Sequence, residues 1–280
     1  MIDHPSPATL ASLRERRTYA CRLTPDRALD TLEDADAFVT ERGLLTRTPD
    51  CSLPSLFGAC HEPPYAPGRG GFADWPATKW WWGHALAERP RVTHLKLHRG
   101  KSLFLTPAVA ALVDPLCRGE LARAAAGEHG PEATRLVTHL AAGGPATLDD
   151  LKRELALSTA ALRATRARLE RVGAVVSRQI ADTADVGGDT QWTSTLYRWD
   201  QLTPAPPHAP ATPQDAPPTV EDALAALIIA GVRAAVLAPA AEVRTWFSWT
   251  TPPGTIDALI CAHRLWEPEP GWLAIPEPPK

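Results

Sequence analysis

The sequence predicts an α+β protein that is mainly helical, and three observations support this fold class. Apolar residues recur at helical spacing in several segments, as Leu136, Val137 and Leu140 do in one of them. Short β-rich runs occur in pairs around turn residues, which is the pattern of a β-hairpin. These pairs follow helical stretches, an order that is typical of a helix-turn-helix closed by a hairpin. We therefore expect tandem winged-helix modules.

The central segment, residues 131–202, carries the fullest pattern. Its order is helix, short helix, turn, longer helix, strand, loop and strand. We expect side-chain caps at Thr147 and Ser158, which precede the second and third helices, because both residue types accept hydrogen bonds from free N–H groups there. A polar loop over 182–191, with glycines at its tip, separates the two β-rich runs and predicts a wing.

The third helix of this segment is where we expect nucleic acid to bind. At about 100° per residue its leucines gather on one side, and we place Arg163, Arg166 and Arg171 opposite them, with Arg168 at the border. A helix with a packed back and an arginine front fits the major groove, where arginine pairs with guanine or holds phosphate. The alternative is an ordinary solvated face. Aspartates in the predicted wing oppose binding, because phosphate would repel them.

Similar but weaker patterns flank the central segment. We predict five parts in chain order: an N-terminal arm (1–25), a winged-helix-like domain (26–130), the central winged helix (131–202), a proline-rich linker (203–218) and a C-terminal winged-helix-like domain (219–280). The first domain should contain a helix capped by Thr31, a helix over 74–87, a hairpin at 94–106 and a helix broken or kinked at Pro115. The last should end in a hairpin joining 265–266 to 272–275.

The hairpin at 94–106 supplies a second set of candidate DNA contacts. Leu95, Leu97, Leu103 and Leu105 alternate and should face the core, so the residues between them should lie on a polar face. Such a face is either a phosphate-contacting wing or a solvated strand. The DNA-binding residues predicted from both segments together are Arg163, Arg166, Arg168, Arg171, Arg178, Lys96, His98, Arg99 and Lys101.

Composition limits the function classes. The net charge of −3 excludes a generally basic surface, and the central segment has no net charge, so a nucleic-acid site must be local. The five cysteines are widely spaced and form no C-x-x-C pair, which indicates free thiols in a reducing compartment, with no metal site. No leader or long apolar run is visible. We expect a cytoplasmic, nucleoid-associated bacterial protein without membrane contact or cofactor.

Several spaced motifs resemble one family. They are LEDADAFV at 32–39, LPSLF at 53–57, WWW at 80–82, KLHRGK at 96–101 and VRTWFSW at 243–249. Together they resemble the AlkZ/YcaQ-type crosslink-repair DNA glycosylases and their relatives of unassigned activity. The resemblance implies tandem winged helices that cradle duplex or damaged DNA.

The catalytic signature of that family is absent from this chain. The signature is two glutamines separated by one apolar residue, whereas the four glutamines here, Gln179, Gln191, Gln201 and Gln214, are never that close. The sequence therefore favours a DNA-binding relative without the usual catalysis. Two alternatives stay open: a protein-interaction scaffold, and a divergent glycosylase that uses a carboxylate. Because Trp80, Trp81 and Trp82 cannot all face inward on one helix, one of them could stack on a flipped base or bridge two domains.

Overall fold

The computed structural model describes residues 9–70, 72–182, 191–203 and 218–276. In these ranges the helices are α1 (Leu10–Ala20), α2 (Leu32–Arg42), α3 (Trp82–Ala87), α4 (Pro107–Ala125), α5 (Pro131–Gly143), α6 (Leu148–Glu154), α7 (Thr159–Arg171), α8 (Trp199–Leu202), α9 (Val220–Ala235), α10 (Ala240–Val243) and α11 (Thr255–Cys261). The strands are β1 (Leu44–Thr46), β2 (Thr93–His98), β3 (Lys101–Leu105), β4 (Ala146–Thr147), β5 (Val175–Asp182), β6 (Gln191–Arg198), β7 (Leu237–Pro239) and β8 (Trp272–Ala274). The fold is α+β and mainly helical, as the sequence predicts.

One order of elements occurs three times along the chain. In each copy a helix leads into a short strand, and a later helix precedes the strands that complete a small antiparallel sheet. The first repeat is α2, β1, α3, β2 and β3; the second is α5, β4, α6, α7, β5 and β6; the third is α9, β7, α10, α11 and β8. The first two sheets have the orders β1-β3-β2 and β4-β6-β5, so the first strand pairs with the last. In the third repeat β7 pairs with β8 in the same way.

The chain divides into two compact units, and this division differs from the five predicted parts. Unit 1 consists of the described residues up to His94, residues 101–112 and the described residues from Leu224 onward. Unit 2 consists of residues 95–100 and the described part of 113–223. The predicted C-terminal domain is therefore not separate. Its two-stranded sheet is too small to form a core alone.

The N-terminal segment, predicted as an arm or a short helix, forms the helix α1 over Leu10–Ala20. Thr9 caps this helix through its side chain, which accepts a hydrogen bond from the Ser12 N–H. Leu10 and Leu13 are buried in one apolar cluster with Leu237 and Ala274, so α1 covers the small β7–β8 sheet. Burying this apolar surface favours placing α1 and the β7–β8 sheet in one unit.

Three further predictions for unit 1 and α4 differ in part from the structure. The helix predicted over 74–87 forms only as α3, because the residues before it make a loop in which Pro64 and Pro76 form an antiparallel bridge. Helix α4 continues through Pro115 without a break, since a proline removes only one hydrogen-bond donor. The C-terminal strand β8 pairs with β7, and residue Trp266 adds only a single bridge.

Unit 2 confirms the predicted caps of the second repeat. The hydroxyl oxygen of Thr147 accepts from the Asp150 N–H at 3.1 Å, and that of Ser158 accepts from the Ala161 N–H at 3.1 Å. After α7 the chain turns at Gly173, whose φ is +75° and whose missing Cβ leaves room for the Cys117 sulfur. The predicted wing tip, 183–190, and most of the predicted linker, 204–217, lie outside the described residues.

Candidate nucleic-acid interface

Helix α7 separates a buried side from an arginine-bearing side. Its buried residues include Leu162, Thr165 and Leu169, which pack into the core of the second repeat. On the opposite side Arg163, Arg168 and Arg171 are exposed, and the other exposed residues of that side are alanines and Thr159. We call these three residues the arginine face. The one carboxylate on the helix, Glu170, is buried and so does not belong to this face.

The prediction that Arg166 belongs to the exposed side is wrong. Arg166 lies four residues after Leu162, and a spacing of four returns to nearly the same side of a helix. Its side chain is only 24% exposed, and its Nε lies 3.7 Å from Oε2 of Glu170. Arg166 therefore helps to hold a buried carboxylate instead of facing solvent.

Lys96, which was predicted to contact DNA, also forms an ion pair with Glu170. The Glu170 side chain is 4% exposed, and its Oε2 accepts a hydrogen bond from the Lys96 Nζ at 2.7 Å. The Ser177 hydroxyl donates to the other carboxylate oxygen. Because a buried carboxylate needs this compensation, Lys96 is committed to Glu170 and is not available for phosphate.

Two more residues of the hairpin differ from their predicted role. Leu95, Leu97, Leu103 and Leu105 are buried, as predicted. His98 is buried too, which was not predicted, because both faces of β2 are covered at its end. Lys101 is exposed, and its Nζ lies 2.5 Å from Oδ1 of Asp50, which offsets its charge. Arg99 stays exposed at the turn, next to Gly100, and both have the positive φ of a tight hairpin.

Two arginines keep the predicted exposure and have local contacts. Arg168 donates from Nη1 to the backbone oxygen of His129 at 2.6 Å, which uses one of its donors and orients the group. Arg178 on β5 is exposed, and its guanidinium carbon lies 5.8 Å from the centre of the Tyr197 ring. Among the described residues, no carboxylate forms an ion pair with any of Arg163, Arg168, Arg171 or Arg178.

Asp150, one of the acidic residues of α6, is compensated by local contacts. The Thr147 hydroxyl and the Arg153 guanidinium donate hydrogen bonds to its carboxylate, and these bonds lower the pKa of Asp150 below its ordinary value. The Arg153 contact also offsets its negative charge. The carboxylate of Asp150 should therefore repel phosphate less than an uncompensated one would.

Sequence reasoning missed a group of aromatic side chains in unit 1. Tyr65 and Phe72 are exposed, and the Tyr65 ring lies 5.7 Å from that of Trp80. Neither Tyr65 nor Phe72 is among the predicted site residues, because both precede the helix predicted over 74–87 and belong to no predicted element. The density of aromatic residues between 65 and 82 is the signal that would have identified them.

Neither a metal site nor a membrane span is found in the described part of the chain. In it, no group of three or more His, Cys, Asp or Glu side chains is arranged to hold a metal ion. The Cys60 thiol near His61 is buried, and burial raises its pKa to about 12, so it is not a ready thiolate ligand. No described helix has both the length and the apolar character needed to cross a bilayer.

Comparison of the chain with protein-family models, with curated proteins and with solved structures found no match.

Proposed function

We propose that this protein binds duplex DNA through the arginine face of α7, as a tandem winged-helix protein. The observation that carries the proposal is the composition of that face. Arg163, Arg168 and Arg171 are exposed on one helix, and no carboxylate in the described residues forms an ion pair with them. Such a face attracts phosphate and can also read base edges.

The order of elements in the second repeat supports the proposal. A helix, a short strand, two helices and a two-stranded hairpin follow one another, and the first strand pairs with the last. In helix-turn-helix proteins the second helix of the motif is the one that enters the major groove. Helix α7 holds that position in this chain.

The dimensions of α7 suit a groove. The major groove is about 12 Å wide, and an α-helix with its side chains is about 10–12 Å across. The alanines between the arginines keep the helix narrow. Arg163 and Arg171 are eight residues apart, which corresponds to a rise of about 12 Å, so they can reach separate phosphates or bases.

The charged groups of unit 2 around α7 also favour phosphate binding at the arginine face. The charge of Glu170, the acidic residue of α7, is buried and compensated by Lys96, so it opposes phosphate only weakly. Arg99 at the hairpin turn and Arg178 on β5 are exposed and extend the set of candidate phosphate contacts. We therefore assign direct contacts to the three arginines of α7 and to Arg99 and Arg178.

We propose that the protein binds DNA but does not excise bases by the two-glutamine mechanism. The resemblance to crosslink-repair glycosylases implies DNA as the ligand, but their pair of glutamines separated by one apolar residue does not occur in this sequence. Duplex containing nicks, abasic sites or crosslinks belongs in the test because that family acts on damaged DNA.

The test replaces the arginine face. The variant R163A/R168A/R171A is compared with the full-length parent and with R91A/R244A/R264A, which removes the same charge from other exposed positions. Mobility shift and fluorescence anisotropy are measured on intact, nicked, abasic and crosslinked duplexes. We expect the α7 variant to lose affinity at least tenfold, and its salt slope to fall by up to about 3, since each phosphate contact contributes about 0.9. The control variant should keep the duplex affinity and the salt slope of the parent.

Two outcomes would overturn the proposal. One is equal duplex affinity of the parent and the α7 variant on every substrate. The other is equal loss in the control, which would indicate attraction by net charge alone. Thermal unfolding of each variant checks that the exposed substitutions leave the fold intact.

A further inference from the structure

A cluster of aromatic rings lies in unit 1 just before α3. It consists of Tyr65, Phe72, Trp75 and Trp80, and we call it the aromatic cluster. Ring centres are 5.1 Å apart for Phe72 and Trp75, 6.5 Å for Tyr65 and Phe72, and 5.7 Å for Tyr65 and Trp80. Tyr65, Phe72 and Trp80 are 51%, 43% and 36% exposed, so the rings form a continuous surface that solvent reaches.

Hydrogen bonds hold the loop that presents these rings. The Tyr65 N–H donates to the Trp75 carbonyl at 2.7 Å, which joins the two sides of the loop. The Glu62 carboxylate accepts from the Thr78 N–H and hydroxyl, both at 2.8 Å, and its Oε1 lies 3.2 Å from the Lys79 Nζ. The exposed rings are thus held in place by the backbone and by an ion pair.

A half-buried cation lies beside one ring of the cluster. The guanidinium carbon of Arg47 is 5.6 Å from the centre of the Trp75 ring, and burial lowers the pKa of Arg47. Its Nε is buried and has no hydrogen-bond partner among the described residues. Solvent does not reach this Nε, which lies against Gly83, so Arg47 acts on a ligand at the rings only through its positive charge.

The repeat gives this cluster a counterpart in the proposed DNA-binding module. Helix α3 precedes the hairpin of β2 and β3, just as α7 precedes that of β5 and β6. Trp80 lies two residues before the first residue of α3, with Trp81 between them, and so is near the N-terminal end of that helix. The first repeat therefore carries aromatic rings before its helix α3, whereas the second repeat carries exposed arginines within α7.

We propose that the aromatic cluster binds unpaired bases of single-stranded DNA by stacking, an inference that rests on the proposed DNA-binding function. Aromatic side chains stack on bases of any sequence, and such platforms are common in proteins that bind single strands. Arg69 is exposed on the same loop and can hold a phosphate, and the positive charge of Arg47 lies near the Trp75 ring. Because Glu62 and Lys79 offset each other, stacking should dominate over charge, and binding here should depend less on salt than binding at α7.

The experiment uses the full chain and a fluorescein-labelled twelve-nucleotide thymidine strand. Anisotropy is measured for the parent, for F72A/W80A, and for Y19A/L23A, which removes two other exposed apolar side chains. We expect F72A/W80A to bind the single strand at least tenfold more weakly and an intact duplex as the parent does, whereas Y19A/L23A should match the parent on both. W80F should retain most single-strand affinity, since a flat ring remains.

The outcomes separate this inference from the proposed function. R163A/R168A/R171A should lose duplex binding and keep single-strand binding, so each site can fail independently. The stacking proposal is overturned if F72A/W80A binds the single strand as tightly as the parent, or if Y19A/L23A loses as much. Capture of vesicles of phosphatidylcholine and phosphatidylserine by the parent, lost in F72A/W80A without loss of single-strand binding, would overturn it in favour of a membrane surface.

Discussion

Gly231 and the ring of Trp246 occupy adjoining space in unit 1, with no room for a side chain between them. A Cβ atom on Gly231 would lie 2.8 Å from Cζ3 and 2.9 Å from Cε3 of Trp246, whose side chain is fully buried. In the sequence Gly231 interrupts an otherwise apolar helix, where glycine is expected to lower helix stability. In the fold it allows the indole to pack directly against the backbone of α9.

Replacing Gly231 with alanine should therefore destabilise the protein. Alanine favours a helix over glycine by about 1 kcal/mol, but forcing a methyl group against a buried indole costs typically about 1–3 kcal/mol, so the net change is unfavourable. Urea unfolding measures the difference. G143A is the matched control, because Gly143 also lies in a helix and has open space around it, and this variant should be neutral or slightly more stable. Equal behaviour of the two variants would contradict the packing described for Trp246.

Replacing Glu170 with glutamine should destabilise unit 2. The change leaves Lys96 and Arg166 without their shared carboxylate, and losing one partner of a buried ion pair costs up to about 3–5 kcal/mol, less here because Lys96 is partly exposed. E154Q, at a half-exposed carboxylate, should stay within about 0.5 kcal/mol of the parent. Chemical denaturation measures both. If E170Q is as stable as the parent, Glu170 does not hold the hairpin tip against α7.

The contribution of Glu62 should disappear in acid. Burial acts to raise its pKa, but the hydrogen bonds from Thr78 and Lys79 outweigh burial and hold the pKa of Glu62 below its ordinary value. A lowered folded-state pKa adds stability above the unfolded value, about 4.3, and this stability is lost as the pH falls through the folded value. E62Q should thus be less stable than the parent by about 0.2–1 kcal/mol at pH 7, the range for partly exposed ion pairs, and equal to it near pH 2–3.

Thermal unfolding across pH 2 to 8 checks this prediction. E41Q is a suitable control, since Glu41 is exposed and no described residue forms an ion pair with it. Its difference from the parent should stay near zero at every pH. A gap between E62Q and the parent that persists in acid would contradict the role assigned to the carboxylate charge.

Features set by neighbours in the chain could be predicted from the sequence. Thr147 and Ser158 cap their helices as predicted, because a cap depends on a side chain and an N–H only three residues away. The leucines of the hairpin are buried as predicted, because alternation along a strand fixes which face each residue takes. The limits of α7 follow from the same kind of local information.

Features set by distant residues could not be predicted in this way. Strand β8 makes its three-residue pairing with β7, more than thirty residues away, and only a single bridge with its neighbour Trp266, and α1 packs on that sheet. The sequence alone also gave no reason to group Tyr65 with Trp80, which are brought together by a loop closed through Glu62. Such contacts depend on which surfaces meet after folding, and spacing along the chain does not encode them.

The sequence by itself determined the α+β class, the caps of the second repeat and the presence of arginines on one helix. Only the tertiary structure decided which of the predicted cations stay exposed: Arg163, Arg168 and Arg171 do, whereas Arg166 and Lys96 are committed to Glu170. The physical reason is that helical periodicity assigns a side chain to a direction, but its exposure and charge compensation depend on what packs in that direction.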